Sequence, residues 1–176
     1  VNCAKQCQGR ARIEATIKLA ESELPIAAKT TDFDKNNWLL NTEDGTIDLR
    51  TGQLRPHSQA DLLTAISPSH YAPDALCPIW DKFLHRIMDG NEEMIGFLQR
   101  IVGYALTGDV SEQVLFFLYG GGSNGKSTFV NTLLTILGHD YAVQSAPDLL
   151  VEKSGDRHPT EIADIYGKRL VASIEV

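Results

Sequence analysis

The sequence predicts an α/β nucleotide-binding fold over its last third, preceded by a mainly helical mixed module with a small β-meander. The run Gly120-Gly121-Gly122-Ser123-Asn124-Gly125-Lys126-Ser127-Thr128 fits the pattern G-x-x-x-x-G-K-[ST]. The apolar stretch Val114-Leu115-Phe116-Phe117-Leu118-Tyr119 before it suits a buried strand, and residues 129–138 after it carry apolar side chains at helical spacing. Strand, glycine-rich loop and helix thus follow one another in the order that builds a phosphate cradle. Glycines let successive backbone N–H groups converge on anionic oxygens, and the helix points its positive end at the same place. The whole run from Gly120 to Thr128 is therefore expected to bind nucleotide. Lys126 would reach the β- and γ-phosphates of ATP and Ser127 would hold a magnesium ion.

The elements before the loop follow from local signals. Ile13, Ile17, Ala20 and Leu24 share one helical face, and Pro25 ends the pattern, so this reads as a surface helix packed on another element. From Trp38 the character changes: Trp38-Leu39-Leu40-Asn41, Thr46-Ile47-Asp48-Leu49 and Gln53-Leu54-Arg55 are strand-like pieces divided by Asp44-Gly45 and Thr51-Gly52. Residues 57–78 hold several prolines and read as an extended connector with one helical turn around residues 61–65. Pro78 suits a first helical position, with Trp80, Phe83, Leu84, Ile87 and Met88 as the apolar stripe and Gly90 as the end. Asn91 is a good N-cap for the next helix, Glu92 and Glu93 favour its first turn, Ile95, Leu98, Ile101, Val102 and Ala105 form its buried side, and Gly108 closes it. Trp38 is expected in the core with Trp80, Phe83, Leu84, Leu98, Ile101 and Val102.

The pattern changes at Ser111-Glu112-Gln113, which divides the chain into residues 1–112 and 113–176. The second part reads as strand 114–119, helix 126–137 with Gly138 at its end, a short strand near Tyr141-Ala142-Val143, a helix over 159–166 and a strand over 169–174. Such alternation implies a parallel sheet with its ligand at the carboxyl ends of the strands. The last strand ends on Glu175, 49 positions after Lys126. A carboxylate there would bind magnesium through water and polarise the attacking water, so Glu175 joins Lys126 as a candidate catalytic residue and Ser127 as a candidate metal ligand.

Bulk properties narrow the function. The chain has 176 residues and a formal net charge of −7, with thirteen acidic against six basic side chains between residues 31 and 112. That excludes a protein coating nucleic acid through its whole surface, so any contact with a polyanion must be local. Cys3, Cys7 and Cys77 lack metal or redox spacing. The five histidines are scattered without a ligand-like partner, so no metal beyond magnesium is assigned, and Asp156-Arg157-His158 is adjacent in sequence and cannot converge on one atom. Lys153, Arg157, Lys168 and Arg169 are candidates for a neighbouring subunit's nucleotide or DNA, or are simply solvated. No apolar run reaches the length of a membrane span, and a reducing cytosol is the expected setting. The start at Val1 and the stop at Ile174-Glu175-Val176, inside an expected strand, read as an internal piece of a longer protein.

A longer series of motifs carries a resemblance. Residues 48–57 (Asp48-Leu49-Arg50-Thr51-Gly52-Gln53-Leu54-Arg55-Pro56-His57), 77–84 (from Cys77-Pro78-Ile79-Trp80), 98–108 (from Leu98-Gln99-Arg100-Ile101), the loop, and Gly167-Lys168-Arg169-Leu170 through Glu175 resemble the C-terminal part of phage and plasmid primase-helicases. These are superfamily 3 helicases related to poxviral primase-helicases, and the resemblance covers about residues 33–176. It implies a helical module joined to a truncated AAA+-type P-loop NTPase core, working as a homo-oligomer, with a hexameric ring around single-stranded DNA. It also implies contact with replication proteins and the cytoplasm of a bacterial host. By position, Lys126 and Ser127 match the phosphate and magnesium residues and Glu175 the acid of the Walker B strand. The sensor residue, DNA-contacting hairpin and arginine finger expected by that resemblance are not in these 176 residues, so the chain alone is expected to bind ATP without rapid hydrolysis. Two other readings stay open: a small-molecule kinase, and a non-catalytic assembly module for replication.

Overall fold

The computed structural model describes residues 9–23, 26–147 and 163–174. Helix α1 spans Arg10–Ala20 and buries nothing. Its periodic face was expected to pack, yet Ile13 and Ile17 stay in solvent. Two isoleucines a turn apart make a narrow stripe, and no described element covers it.

The meander forms as expected, with β1 (Leu39–Thr42), β2 (Gly45–Asp48) and β3 (Gln53–Arg55) in an antiparallel sheet of order β1-β2-β3. Leu40 pairs with Ile47 across the first hairpin, and Ile47 with Leu54 across the second. Thr46 is only 1% exposed, and its hydroxyl donates to Asn41 Oδ1 at 3.1 Å, so the buried hydroxyl is satisfied within the sheet. Trp38 departs from expectation. At 38% exposed it lies at the sheet's margin, covered by the Arg50 guanidinium 4.8 Å from its ring centroid instead of by the core.

The connector after β3 holds one 3-10 turn, Gln59–Asp61, slightly earlier than the expected turn. It is tied down over residues 67–71. Asp44, in the first hairpin loop, accepts from Tyr71 N at 2.9 Å and pairs with His70 Nδ1 at 2.8 Å, which holds its carboxyl below the usual range. Ser67, itself buried, donates its hydroxyl to the Ile136 carbonyl at 2.6 Å.

Helix α2 (Pro78–Ile87) starts on its proline, and α3 (Glu92–Thr107) starts under Asn91, whose Oδ1 accepts from Met94 N at 3.1 Å. Gly108 ends α3 in a left-handed conformation, as expected. Helix α4 (Lys126–Tyr141) breaks at Gly138, where φ is 68° and ψ 173°. A Cβ at Gly138 would stand 2.4 Å from Pro68 Cδ, so the position demands glycine for its backbone and for its neighbour alike.

Two cores result. Leu84, Ile95, Leu98 and Phe129 form one, flanked by Trp80, Phe83, Ile101 and Val102, with Trp80 stacked on Phe129 at 5.7 Å. Leu40, Ile47, Leu137, Tyr141 and Ala142 form the other. Each draws on residues from both sides of position 112.

After α4, β4 (Ala142–Ser145) pairs in parallel with β5 (Leu170–Ser173). The expected strand over 114–119 does not form: these residues are irregular and exposed, Tyr119 at 91%. A strand exists only against a hydrogen-bonding neighbour, and β4 and β5 pair with each other alone among the described residues. Within the run, Phe116 meets another aromatic ring, edge-on to Phe97 at 6.4 Å. Of the helix expected over 159–166, only residues 163–166 are described, and of these 163–165 are helical.

Candidate nucleotide-binding site

The loop over residues 120–125 delivers the chain into α4 in a way ordinary helix starts do not. Gly125 is the N-cap in a left-handed conformation (φ 81°, ψ 0°), offers no side-chain oxygen, and is followed by a first turn with no acidic residue. Its first amides thus lack the capping acceptor that usually satisfies them, and Lys126 adds a positive charge at the positive end of the helix dipole. Such a start breaks the local rules of helix stability in the one direction that favours an anion.

Lys126 is half-buried, whereas Ser127 and Thr128 face solvent. The lysine ammonium turns back over the loop, donating to Asn124 Oδ1 at 2.7 Å and to the Gly120 carbonyl at 3.1 Å. The loop closes on itself through Gly122 N donating to Gly120 O at 2.9 Å. Gly121 lies in this exposed stretch with open space around its Cα.

A cavity of about 480 Å³ adjoins the loop. Ser123, Asn124, Gly125 and Thr128 form one wall, while Phe83, Arg86 and Ile87 of α2 form the other. The two walls are in close contact, since a Cβ at Gly125 would come within 2.7 Å of Ile87 Cγ2 and 2.9 Å of Phe83 Cε2. Glycine-only geometry at the cap, unpaired first-turn donors, a lysine on the same loop and an adjoining cavity are suited to an anionic group such as phosphate. Among the described residues, no cluster of His, Cys, Asp or Glu could hold a metal by itself.

Glu175, Lys153 and Arg157 lie outside the described residues. β5 runs parallel to β4 up to Ser173, two positions short of Glu175. Lys168 and Arg169 are engaged within the chain instead of being simply solvated. Lys168 Nζ donates to the His139 and Asp140 carbonyls at the end of α4. Arg169 donates to the carbonyls of Leu39 (2.6 Å) and Leu106 and lies 4.7 Å from the centroid of the Tyr141 ring. Burial pulls the Arg169 guanidinium below its ordinary pKa and pushes the Tyr141 hydroxyl above its own. Tyr141 in turn accepts from Asn41 N at 3.0 Å and donates to the Ala65 carbonyl at 3.1 Å. Arg169 therefore clasps β1, the end of α3 and the start of β5 together. Sequence reading also missed Arg86 at the cavity, because nothing in local spacing relates α2 to a loop nearly forty positions later.

Comparison with known proteins adds two findings. The family described as D5 N terminal like matches residues 2–89, the segment that includes the meander and α2. The matched span ends before the loop, so the resemblance to the C-terminal part of phage and plasmid primase-helicases is met at the level of this D5-related module. A protein of Acanthamoeba polyphaga mimivirus named as a "putative helicase" is 29% identical over 144 residues, covering 78% of this chain. The chain spans about 15% of the length of that relative. Among the described residues no helix is long and apolar enough to cross a membrane. With half of its length matched by the family model, the chain belongs to the D5 N terminal like family.

Proposed function

We propose that this chain is the nucleotide-binding segment of a superfamily 3-type primase-helicase, with a P-loop NTPase core that binds ATP and magnesium at residues 120–128. The observation that carries the reading is the start of α4: no capping side chain, no acidic first turn, and Lys126 at the positive pole. A helix start of that kind is stable only at some cost unless an anion joins it. Family membership and the likeness to a protein named as a helicase support the same reading.

On this proposal Lys126 exchanges its contacts to Asn124 and Gly120 for phosphate oxygens, a swap of one set of acceptors for a more strongly charged one. Ser127 and Glu175 are the residues that would hold magnesium, which supplies charge neutralisation at the phosphates when bound. Glu175 would also orient the attacking water. Movement along single-stranded DNA by a hexameric ring is proposed for the whole protein of which such a chain would be part. The net charge of −7 is consistent with DNA contact confined to one local surface.

The test is calorimetric titration of magnesium-ATP into this chain and its Lys126→Ala variant, followed by phosphate release from the longer polypeptide with and without single-stranded DNA. Tight binding lost in Lys126→Ala, and DNA-stimulated hydrolysis lost in Glu175→Gln, are expected. Equal affinity in Lys126→Ala would remove the basis for the assignment.

A further inference from the structure

The cavity beside the loop has a second wall that no motif describes. Phe83 and Ile87 give that wall an apolar body, and Arg86 stands on the same helix one position from Ile87. Arg86 is exposed, and among the described residues it has neither a carboxylate nor a carbonyl partner. Among the described residues no acidic side chain lines the cavity. The contrast with Arg169, whose guanidinium donates to the main-chain carbonyls of Leu39 and Leu106, is direct. Arg55 is likewise committed, to Asp61 at 2.7 Å. A planar guanidinium with no acceptor among the described residues, at the rim of an anion-favouring loop, is suited to bidentate contact with phosphate.

We propose that Arg86 is a nucleotide-binding residue whose guanidinium meets the phosphates of the nucleotide held at residues 120–128, so that α2 of the family-matched segment completes the site. The inference rests on the reading of that loop as a nucleotide site. It goes further, because it makes the site a joint product of two segments forty residues apart. The close approach of Phe83 and Ile87 to Gly125 sets the two walls side by side. The cavity is large enough for part of a nucleotide to lie between the walls.

Arg86 also stands in the last turn of α2, where a cation is favoured by the helix dipole whatever the cavity holds. The experiment separates the two roles. Magnesium-ATP and inorganic tripolyphosphate are titrated calorimetrically into the chain, into Arg86→Gln and Arg86→Lys, into Lys82→Gln, which removes the same charge from α2 away from the cavity, and into Lys126→Ala. Melting temperatures are recorded for each. The expected result is about tenfold weaker binding of both ligands to Arg86→Gln, the size of one charge-assisted hydrogen bond. Partial recovery in Arg86→Lys and unchanged affinity in Lys82→Gln are expected alongside it. A lower melting temperature with unchanged affinity in Arg86→Gln would assign the residue to the helix dipole alone and overturn the inference while leaving the loop's role intact. A loss confined to ATP, with tripolyphosphate unaffected, would overturn the contact with phosphate. No binding of either ligand by the unmodified chain would overturn the loop assignment and this inference together.

Discussion

Helices α3 and α4 are each 16 residues long and drive apolar faces into the same core, yet they begin in opposite ways. α3 opens under the Asn91 side chain with Glu92 and Glu93 in its first turn, so its free amides and its dipole are answered from within the chain. α4 opens under a glycine with a lysine in that turn and nothing to answer either. The bodies of the two helices serve the fold; only one of the two starts does. The difference teaches that a departure from the capping rules, set beside a helix that obeys them, singles out the start that the fold alone does not account for.

The comparison can be broken first at the core. Leu98→Ala in α3 should cost about 2–5 kcal/mol and Phe129→Ala in α4 about 3–5 kcal/mol in urea unfolding, because both side chains are buried in one cluster. A loss well under these figures for Phe129 alone would mean that α4 is not anchored as α3 is. Next comes the cap of α4. Gly125→Ala forces a side chain into a left-handed backbone and against Ile87 and Phe83, at about 1–3 kcal/mol, and should weaken ATP binding as the two walls part. The finest test exchanges the logic of the two starts. Asn91→Ala should remove about 1 kcal/mol of stability, whereas Lys126→Glu should add about 0.3–1 kcal/mol by answering the dipole while abolishing ATP binding. Stability and function moving in opposite directions at position 126, and at no point in the first turn of α3, would sharpen the contrast.

What could be read in the sequence were features whose cause is local. The proline start of α2, the Asn91 cap, the glycine end of α3 and both hairpins of the meander are set by residues within a few positions of one another. Residues 114–119 have the composition of a buried strand, but a strand is made by its neighbour, and composition carries no information on whether a neighbour pairs with it. Hydrophobicity alone assigns Trp38 to the core, whereas an arginine stem and guanidinium cover it only in part at the sheet's margin. The glycine-rich loop leading into α4 was legible because its glycines and the helical spacing after it are local too. The wall facing it was not, since Arg86 and the carbonyl contacts of Arg169 depend on which distant segments the fold brings together.

The most direct measurement follows the backbone amides of the chain by NMR during titration with magnesium-ATP. The account predicts that the largest shifts fall on the amides of residues 120–128, with Lys126, Ser127 and Thr128 foremost, while the amides of Glu92, Glu93 and Met94 at the start of α3 stay in place. Saturable shifts that leave residues 120–128 unmoved, or that involve both helix starts equally, would contradict it.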